Sequence, residues 1–323
     1  MKQPLLAVTN LRKHYIVREA FFARKKVLPA VENVSLHVGR QETLGIVGES
    51  GCGKSTLARC LLGLEKPTSG QVQFDGIELD AAGPELLRQV RRKLQIVFQD
   101  PYAALNPFKT VGDSIAEPLI NYSLGTYREQ QEKLDQLLAE VGLKSEYKTR
   151  YPHQFSGGQL QRINIARALA LKPALMVCDE AVSNLDGIVK AQIVDLLRRL
   201  QGEHHISYIF ITHDLNVVKR LADRIAVMLG GRIVEVLPAR ELANAMHPYT
   251  RYLLSAALSG DPARRRQRNS GVFLTEAAIS YADNLSGCAL NHRCPEFCEQ
   301  CRLEEPILKN IGSIHQVACH LFG

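Results

Sequence analysis

With 323 residues, the chain has room for one large domain or two unequal ones. Its apolar fraction of 46% is ordinary for a globular protein, and no run nears the roughly 18 apolar residues of a spanning helix. Met1-Lys2-Gln3-Pro4 lacks the apolar stretch of a signal peptide, so the expected place is the cytosol. The net charge of +7 fits a nucleic-acid partner, an anionic membrane face or simply a basic surface. The densest basic run, Arg264-Arg265-Arg266 with Arg268, has no interleaved aromatics for base stacking and reads first as a solvated linker.

In chain order, residues 5–9 and 31–38 read as short strands. The insert between them carries Lys13, Arg18, Arg24, Lys25 and Lys26, which marks an exposed loop or hairpin. Tyr15, just after the first strand, is either an ordinary half-buried aromatic or a platform for a purine ring. Leu44-Gly45-Ile46-Val47 is a buried strand, and a helical pattern starts at Leu57. Between them lies Gly48-Glu49-Ser50-Gly51-Cys52-Gly53-Lys54-Ser55-Thr56. This fits the phosphate-binding pattern G-x-x-x-x-G-K-[ST] in its proper strand–loop–helix setting. Glycines let successive N–H groups turn toward one anion, and the helix start adds unpaired donors. Lys54 is expected to reach the β- and γ-phosphates and Ser55 to ligate Mg²⁺.

Residues 71–76 and 94–98 read as strands, the second ending at Gln99-Asp100-Pro101. A polar loop follows to Pro107, and residues 111–143 form a helical insertion with Leu134, Leu137, Leu138 and Val141 at helical spacing. Ser156-Gly157-Gly158-Gln159 opens a further helix. Ala174-Leu175-Met176-Val177-Cys178 is a buried strand ending at Asp179-Glu180, and residues 187–201 are an amphipathic helix. Ile206 to Ile211 is another buried strand, ending at Thr212-His213, with a helix over 214–222. Residues 225–229 and 232–236 pair as a hairpin across Gly230-Gly231.

Continuous apolar strands alternating with helices imply a parallel sheet covered on both faces. Ligands bind such sheets at the carboxyl ends of the strands, where residues 48–56, 179–180 and 213 all fall. Asp179 is placed to hold Mg²⁺ through water, and Glu180, pointing differently, to take a proton from an attacking water. Helix capping would explain the same acidic pair. His213 and Gln99, each taken alone, are as well explained by structure as by catalysis.

Ser156-Gly157-Gly158-Gln159, placed between a phosphate loop and an acidic strand end, resembles the signature of ABC ATPases. The order of Tyr15, the phosphate loop, Gln99, the signature, Asp179-Glu180, Ser183-Asn184-Leu185-Asp186 and His213 is similar to an ABC nucleotide-binding domain across roughly residues 5–260. That resemblance implies an α/β P-loop NTPase core with a mostly parallel sheet. It also implies an N-terminal antiparallel β subdomain and a helical signature subdomain at about 100–160. It implies an ATP-sandwich dimer in which Ser156, Gly157, Gly158 and Gln159 touch the nucleotide held by a second subunit. Asp186 would lie in the loop coupling the two sites, and Gln99 would sense both Mg²⁺ and a membrane partner. Glu180, His213 and Gln99 would be catalytic, with Mg²⁺ held through Ser55, Gln99 and Asp179.

Val97-Phe98-Gln99-Asp100-Pro101-Tyr102, Tyr151-Pro152-His153-Gln154-Phe155 and His247-Pro248-Tyr249-Thr250 are similar to the importers of peptides and nickel. Ala181 and Asn184 look more like the nickel-importer ATPases. Residues 261–286 lack the Pro-rich stretch usual in the peptide branch. The resemblance implies an ATPase on the cytoplasmic face of the bacterial inner membrane. Short peptides are the first expected cargo and nickel or a metal chelate the second. Expected partners are a paralogous ATPase, two permease subunits and a periplasmic binding protein, with no nucleic acid. A soluble ABC ATPase of DNA repair or translation is the rival, though those usually carry long coiled-coil insertions or two cassettes.

Five of the eight cysteines crowd the C-terminal region: Cys288, Cys294, Cys298, Cys301 and Cys319. In a reducing compartment such crowding favours metal binding over disulfides. The segment is similar to the Cys-rich extension of peptide permease ATPases, dividing the chain into residues 1–236 and 237–323. The resemblance implies a [4Fe–4S] cluster on Cys288, Cys294, Cys301 and Cys319, with Cys298 outside the pattern. Tetrahedral Zn²⁺ on the same thiolates and four unliganded thiols are the alternatives.

Overall fold

Strands whose every residue is apolar must be covered on both faces, and that sets where the polar residues emerge. The structure is a computed structural model that describes residues 3–17, 26–257, 287–312 and 314–322. The Arg264–Arg268 run and the Arg18, Arg24 and Lys25 part of the first insert lie outside the described residues. The chain divides into two compact units.

The first unit comprises Met1–Leu5, Val38–Glu42 and Ala81–Thr212. Its strands β6 (Leu94–Val97), β7 (Leu175–Asp179) and β8 (Ser207–Thr212) run parallel in the order β6-β7-β8. Val97 sits opposite Cys178, and Asp179 opposite Ile211, so the strands end at nearly one level. Every residue of β8 is buried. Helices α2 (Pro84–Lys93), α3 (Val111–Asn121), α4 (Tyr127–Glu140), α5 (Gly157–Leu169) and α6 (Gly187–His204) belong to the same unit. Thr110 with Asp113, and Thr126 with Glu129, form capping boxes that start α3 and α4. Leu134, Leu137 and Leu138 bury the inner face of α4.

The second unit comprises Leu6–His37, Thr43–Asp80 and His213–Gly323. One sheet has the order β2-β1-β4-β5, from Lys26–Val38, Leu6–Val17, Ser69–Phe74 and Ile77–Glu78. Strand β1 runs antiparallel to β4, with Leu6 opposite Phe74. Elsewhere in this unit β3 (Thr43–Val47) pairs in parallel with β9 (Arg224–Leu229), which turns back as β10 (Arg232–Pro238). The short strands β11 (Lys309–Asn310) and β12 (Gln316–Val317) extend the ladder from β10, tying the C-terminal segment to the hairpin. Helices α1 (Lys54–Leu61), α7 (Leu215–Leu221), α8 (Pro248–Ala257) and α9 (Gln300–Leu303) complete it.

Most expected elements are present, with three corrections. Strand β1 reaches Val17 and β2 begins at Lys26, so Tyr15 lies inside a strand rather than after one. Backbone pairing in an exposed hairpin continues after the apolar alternation has stopped, so a pattern of side chains ends too early. The sequence gives little sign of α2, because Val90 is its one buried residue. The helical insertion breaks into α3 and α4 around Ser123 and Gly125, both at positive φ. Among the described residues no helix is long and apolar enough to cross a membrane.

A buried polar network joins β10 to the start of α8. Glu235 is fully buried and accepts the backbone N–H groups of Met246 at 2.7 Å and His247 at 3.3 Å. The His315 ring lies 2.8 Å from the same carboxylate. His247 accepts the N–H of Tyr249 through Nδ1 at 3.1 Å, and burial pushes its pKa down to about 4. A neutral histidine in the fold and an ordinary one in the unfolded chain make stability depend on pH. The contribution is complete above the unfolded pKa of 6.5 and is lost as pH falls toward 4. It amounts to roughly 3 kcal/mol. Denaturant unfolding from pH 7.5 to 4.5 is expected to show this loss, and His247→Asn to flatten that part of the profile.

Candidate active site

The phosphate loop follows a strand in which all five residues of β3 are buried. Gly48 and Gly53 are required by close approach. A Cβ on Gly48 would lie 2.2 Å from the Met228 carbonyl oxygen, and one on Gly53 2.0 Å from that of Ala30. Gly53 also takes φ 104°, which glycine tolerates without strain. The turn at Gly231 braces the loop: its N–H donates to the Cys52 carbonyl at 2.9 Å, and its own carbonyl accepts from Glu32 N–H at 2.8 Å. Helix α1 begins with no side-chain cap and no acidic residue in its first turn, which suits the approach of an anion to its N-terminus. Lys54 is buried, and its ammonium donates to the carbonyls of Gly48 at 2.9 Å and Glu49 at 2.8 Å. Cys52 lies beneath the loop, and burial raises its pKa, which keeps the thiol neutral. Ser50 and Gly51 are exposed, while Ser55 and Thr56 are half-buried on the first turn of α1.

Tyr15 is half-buried, with its hydroxyl donating to the Glu65 carboxylate. Burial, then the bond to Glu65, raises its pKa. Glu65 also pairs with Arg59 at 3.2 Å, and Lys13 lies 5.1 Å from the centre of the Tyr15 ring. His213 is exposed and directly follows β8 in the chain. Asp214 caps α7 through the N–H groups of Asn216 and Val217.

In the other unit, the level ends of β6 and β7 bring two expected residues together. Gln99 donates its side-chain amide to the Glu180 carboxylate at 2.9 Å. Glu180 sits at φ 48°, a left-handed conformation uncommon for a residue with a side chain. Its N–H donates to the Ile211 carbonyl at 2.9 Å, and its carbonyl accepts the Ser183 N–H at 3.0 Å and hydroxyl at 2.9 Å. These bonds hold the unusual backbone, which turns Glu180 away from the direction of Asp179 on the strand. Asp179 is half-buried at the end of β7.

The signature segment is a capping box. Ser156 accepts the Gln159 N–H, and the Gln159 side-chain oxygen accepts the Ser156 N–H at 3.0 Å. Ser156 and Gly157 are exposed. Gly158 faces α6, where an added Cβ would lie 2.4 Å from a Val189 methyl carbon. Asp186 caps α6 by accepting the N–H groups of Ile188 at 3.1 Å and Val189 at 2.9 Å. Gln99, Gly157, Asn184 and Leu185 line one hollow of about 380 Å³.

The C-terminal thiols are brought into one neighbourhood. Cys288 donates its N–H to the Cys301 carbonyl at 2.8 Å, and the sulfurs of Cys298 and Cys301 are 3.3 Å apart. Burial raises the pKa of Cys288 to about 12, with the Cys301, Cys294 and Cys319 charges adding to it. Burial also raises Cys294, Cys301 and Cys319. Among the described residues, no three or more His, Cys, Asp or Glu side chains converge so as to hold a metal ion. The expected ligand set is therefore gathered but does not close on one point. Two residues outside the expected site set reach the phosphate loop. The Tyr249 hydroxyl accepts the Glu49 N–H at 2.9 Å, and Arg293 pairs with the Glu49 carboxylate at 3.3 Å. No sequence pattern marks either contact, because they join positions some 200 residues or more apart.

The ABC transporter family profile matches residues 31–183, and that of the oligopeptide/dipeptide transporter C-terminal region matches residues 234–301. The chain is 43% identical over 328 residues to the oligopeptide transport ATP-binding protein AppF of Bacillus subtilis, spanning 100% of this chain and 98% of that one. It is 45% identical over 321 residues to the dipeptide transport ATP-binding protein DppF of Escherichia coli, spanning 99% and 95%. Among solved structures, the dimeric post-hydrolysis state of the ATP-binding cassette MJ0796 bound to ADP and Pi is 31% identical. It matches with a TM-score of 0.65 over 73% of this chain and 99% of that one. CbiO1 from Clostridium perfringens, part of the transporter complex cbiONQ, is 26% identical and matches with a TM-score of 0.66 over 82% and 98%. With identity at this level running through nearly the whole of both sequences, the chain belongs to the ABC transporter ATP-binding proteins of the oligopeptide/dipeptide type.

Proposed function

We propose that this ABC ATPase drives import of short peptides from the cytoplasmic face of a bacterial inner membrane. The observation that carries its catalytic part is the Gln99–Glu180 contact at 2.9 Å, held by the left-handed backbone at Glu180. In this reading the N–H groups at the start of α1 and the Lys54 ammonium bind the β- and γ-phosphates. Tyr15 packs against the adenine, and His213 contacts the γ-phosphate. The hydroxyl of Ser55, the amide oxygen of Gln99 and the carboxylate of Asp179 are each oxygen donors of the kind that would suit Mg²⁺. When bound by them, Mg²⁺ would neutralise phosphate charge. Glu180 takes the proton of a water as its oxygen bonds the γ-phosphorus and the bond to the β-phosphate oxygen breaks. Products are ADP and phosphate.

Ser156 to Gln159 serve a second ATPase subunit. Their exposed cap and bare glycine backbone support contact with a phosphate arriving from outside. Asp186, on the adjacent loop, couples the two sites. The names of the relatives support peptides as cargo over nickel or a metal chelate. The reading includes assembly with two permease subunits and a periplasmic substrate-binding protein. A paralogous ATPase as the second subunit is part of the same proposal.

The C-terminal thiols are read as ligands of a [4Fe–4S] cluster. Supporting this, the four expected cysteines lie within electrostatic range of one another. A cubane spreads its thiolates over four irons, whereas a tetrahedral zinc site gathers all four on one ion. Binding requires thiolates, which burial opposes until the metal charge is present. No catalytic step depends on it.

In the transporter reconstituted with its permease, Glu180→Gln is expected to lower kcat by about 10²–10⁴-fold while MgATP still binds. Unchanged turnover would remove Glu180 as the base. Deleting the gene is expected to abolish uptake of a labelled dipeptide and to spare nickel uptake, and the reverse pattern would transfer the assignment to metal import. Anaerobically purified protein is expected to be brown with about four irons per chain. Colourless protein with one zinc would rule out the cluster.

A further inference from the structure

Glu49 places a carboxylate inside a loop built to receive a polyanion, and a bare carboxylate there would repel the phosphates. The Arg293 guanidinium lies 3.3 Å from one Glu49 carboxylate oxygen and 3.4 Å from the other, so both oxygens face the same cation. The two side chains are only 15% and 27% exposed, which limits screening by solvent and salt. Arg293 sits one residue before Cys294 in the C-terminal extension, in a turn set by its N–H donating to the Leu290 carbonyl at 2.9 Å. The Glu49 N–H is meanwhile taken by the hydroxyl of the fully buried Tyr249 at 2.9 Å. Backbone and side chain of the same loop residue are thus both anchored by segments that follow the last strand of the hairpin. Tyr249 in turn donates its N–H to His247, whose own N–H reaches Glu235.

We propose that Arg293 is a positioning residue for nucleotide binding: it masks the Glu49 carboxylate and sets the affinity of the phosphate loop for MgATP from the C-terminal extension. The extension then acts as part of the nucleotide site, whatever its cysteines hold. The Glu49–Arg293 pair adds no net charge to the loop in the wild type, a negative charge when Arg293 is removed and a positive one when Glu49 is neutralised. Neutralising both restores the balance. The order of affinities follows from that sum, whereas a purely structural role for Arg293 would leave the double variant as weak as the single one.

The test is equilibrium binding of a fluorescent ATP analogue with Mg²⁺ to the full chain, at low and high salt. Arg293→Ala is expected to raise Kd by about 3- to 10-fold, with the defect growing in low salt. Arg293→Lys is expected to keep most of the affinity. Glu49→Gln is expected to bind more tightly than wild type, and Glu49→Gln with Arg293→Ala to return to within about 2-fold of wild type. Wild-type affinity in Arg293→Ala, or failure of Glu49→Gln to suppress its defect, would overturn the proposal. If Arg293→Ala does not fold, Glu49→Gln carries the test alone, and affinity at or below wild type in low salt would overturn it. The readout is binding rather than turnover, so it stands apart from the roles assigned to Glu180 and to the cysteines.

Discussion

A loop that binds phosphate with its backbone must be held still without side chains of its own in the way, and much of the second unit meets that constraint. Gly48 lies under the Met228 carbonyl and Gly53 under that of Ala30, with no space for a Cβ at either. The turn of the β9–β10 hairpin closes over the loop through the bond from Gly231 to Cys52 and anchors to β2 through Glu32. Hairpin, edge strand and loop therefore form one hydrogen-bonded block. The buried cysteine at position 52 fills the space beneath, neutral because burial disfavours its thiolate. Lys54 bonds back to the same loop, its ammonium donating to the Gly48 and Glu49 carbonyls.

The first unit solves a different problem, delivery of polar groups from a buried sheet. Parallel strands with matched register end together, so Gln99 and Glu180 meet although 80 residues of chain lie between them. The extra turn needed to aim Glu180 is taken as a left-handed residue, a conformation that persists only when neighbouring bonds enforce it. The signature and the loop before α6 use the same economy. Ser156, Gln159 and Asp186 satisfy helix N-termini while leaving exposed backbone beside them.

The C-terminal extension adds charge to this scheme. A buried carboxylate, Glu235, gathers two backbone N–H groups and the His315 ring, which fixes the start of α8 and therefore Tyr249. From there one hydroxyl reaches the Glu49 backbone, and Arg293 reaches its side chain. Burial raises the pKa of Cys288, Cys294, Cys301 and Cys319 as it does that of Cys52, and their gathering makes the segment a chemically distinct end of the unit.

The proposed phosphate loop, acidic strand end and signature could be picked out in the amino-acid sequence because each is a short run whose proposed role needs fixed local spacing. Glycines, a lysine and a hydroxyl must follow one strand in order, and Ser156 with Gln159 closes a cap within four residues. The buried strands were equally plain, since continuous apolar residues have no other soluble solution. Strand limits near Tyr15 and helix α2 were not, because exposed elements carry no apolar pattern. The bond between Gln99 and Glu180, the left-handed turn at Glu180 and the clamp of Tyr249 and Arg293 on Glu49 were decided by tertiary structure alone. Each depends on strand register or on chain returning from far away, and neither quantity is written in the local order of residues.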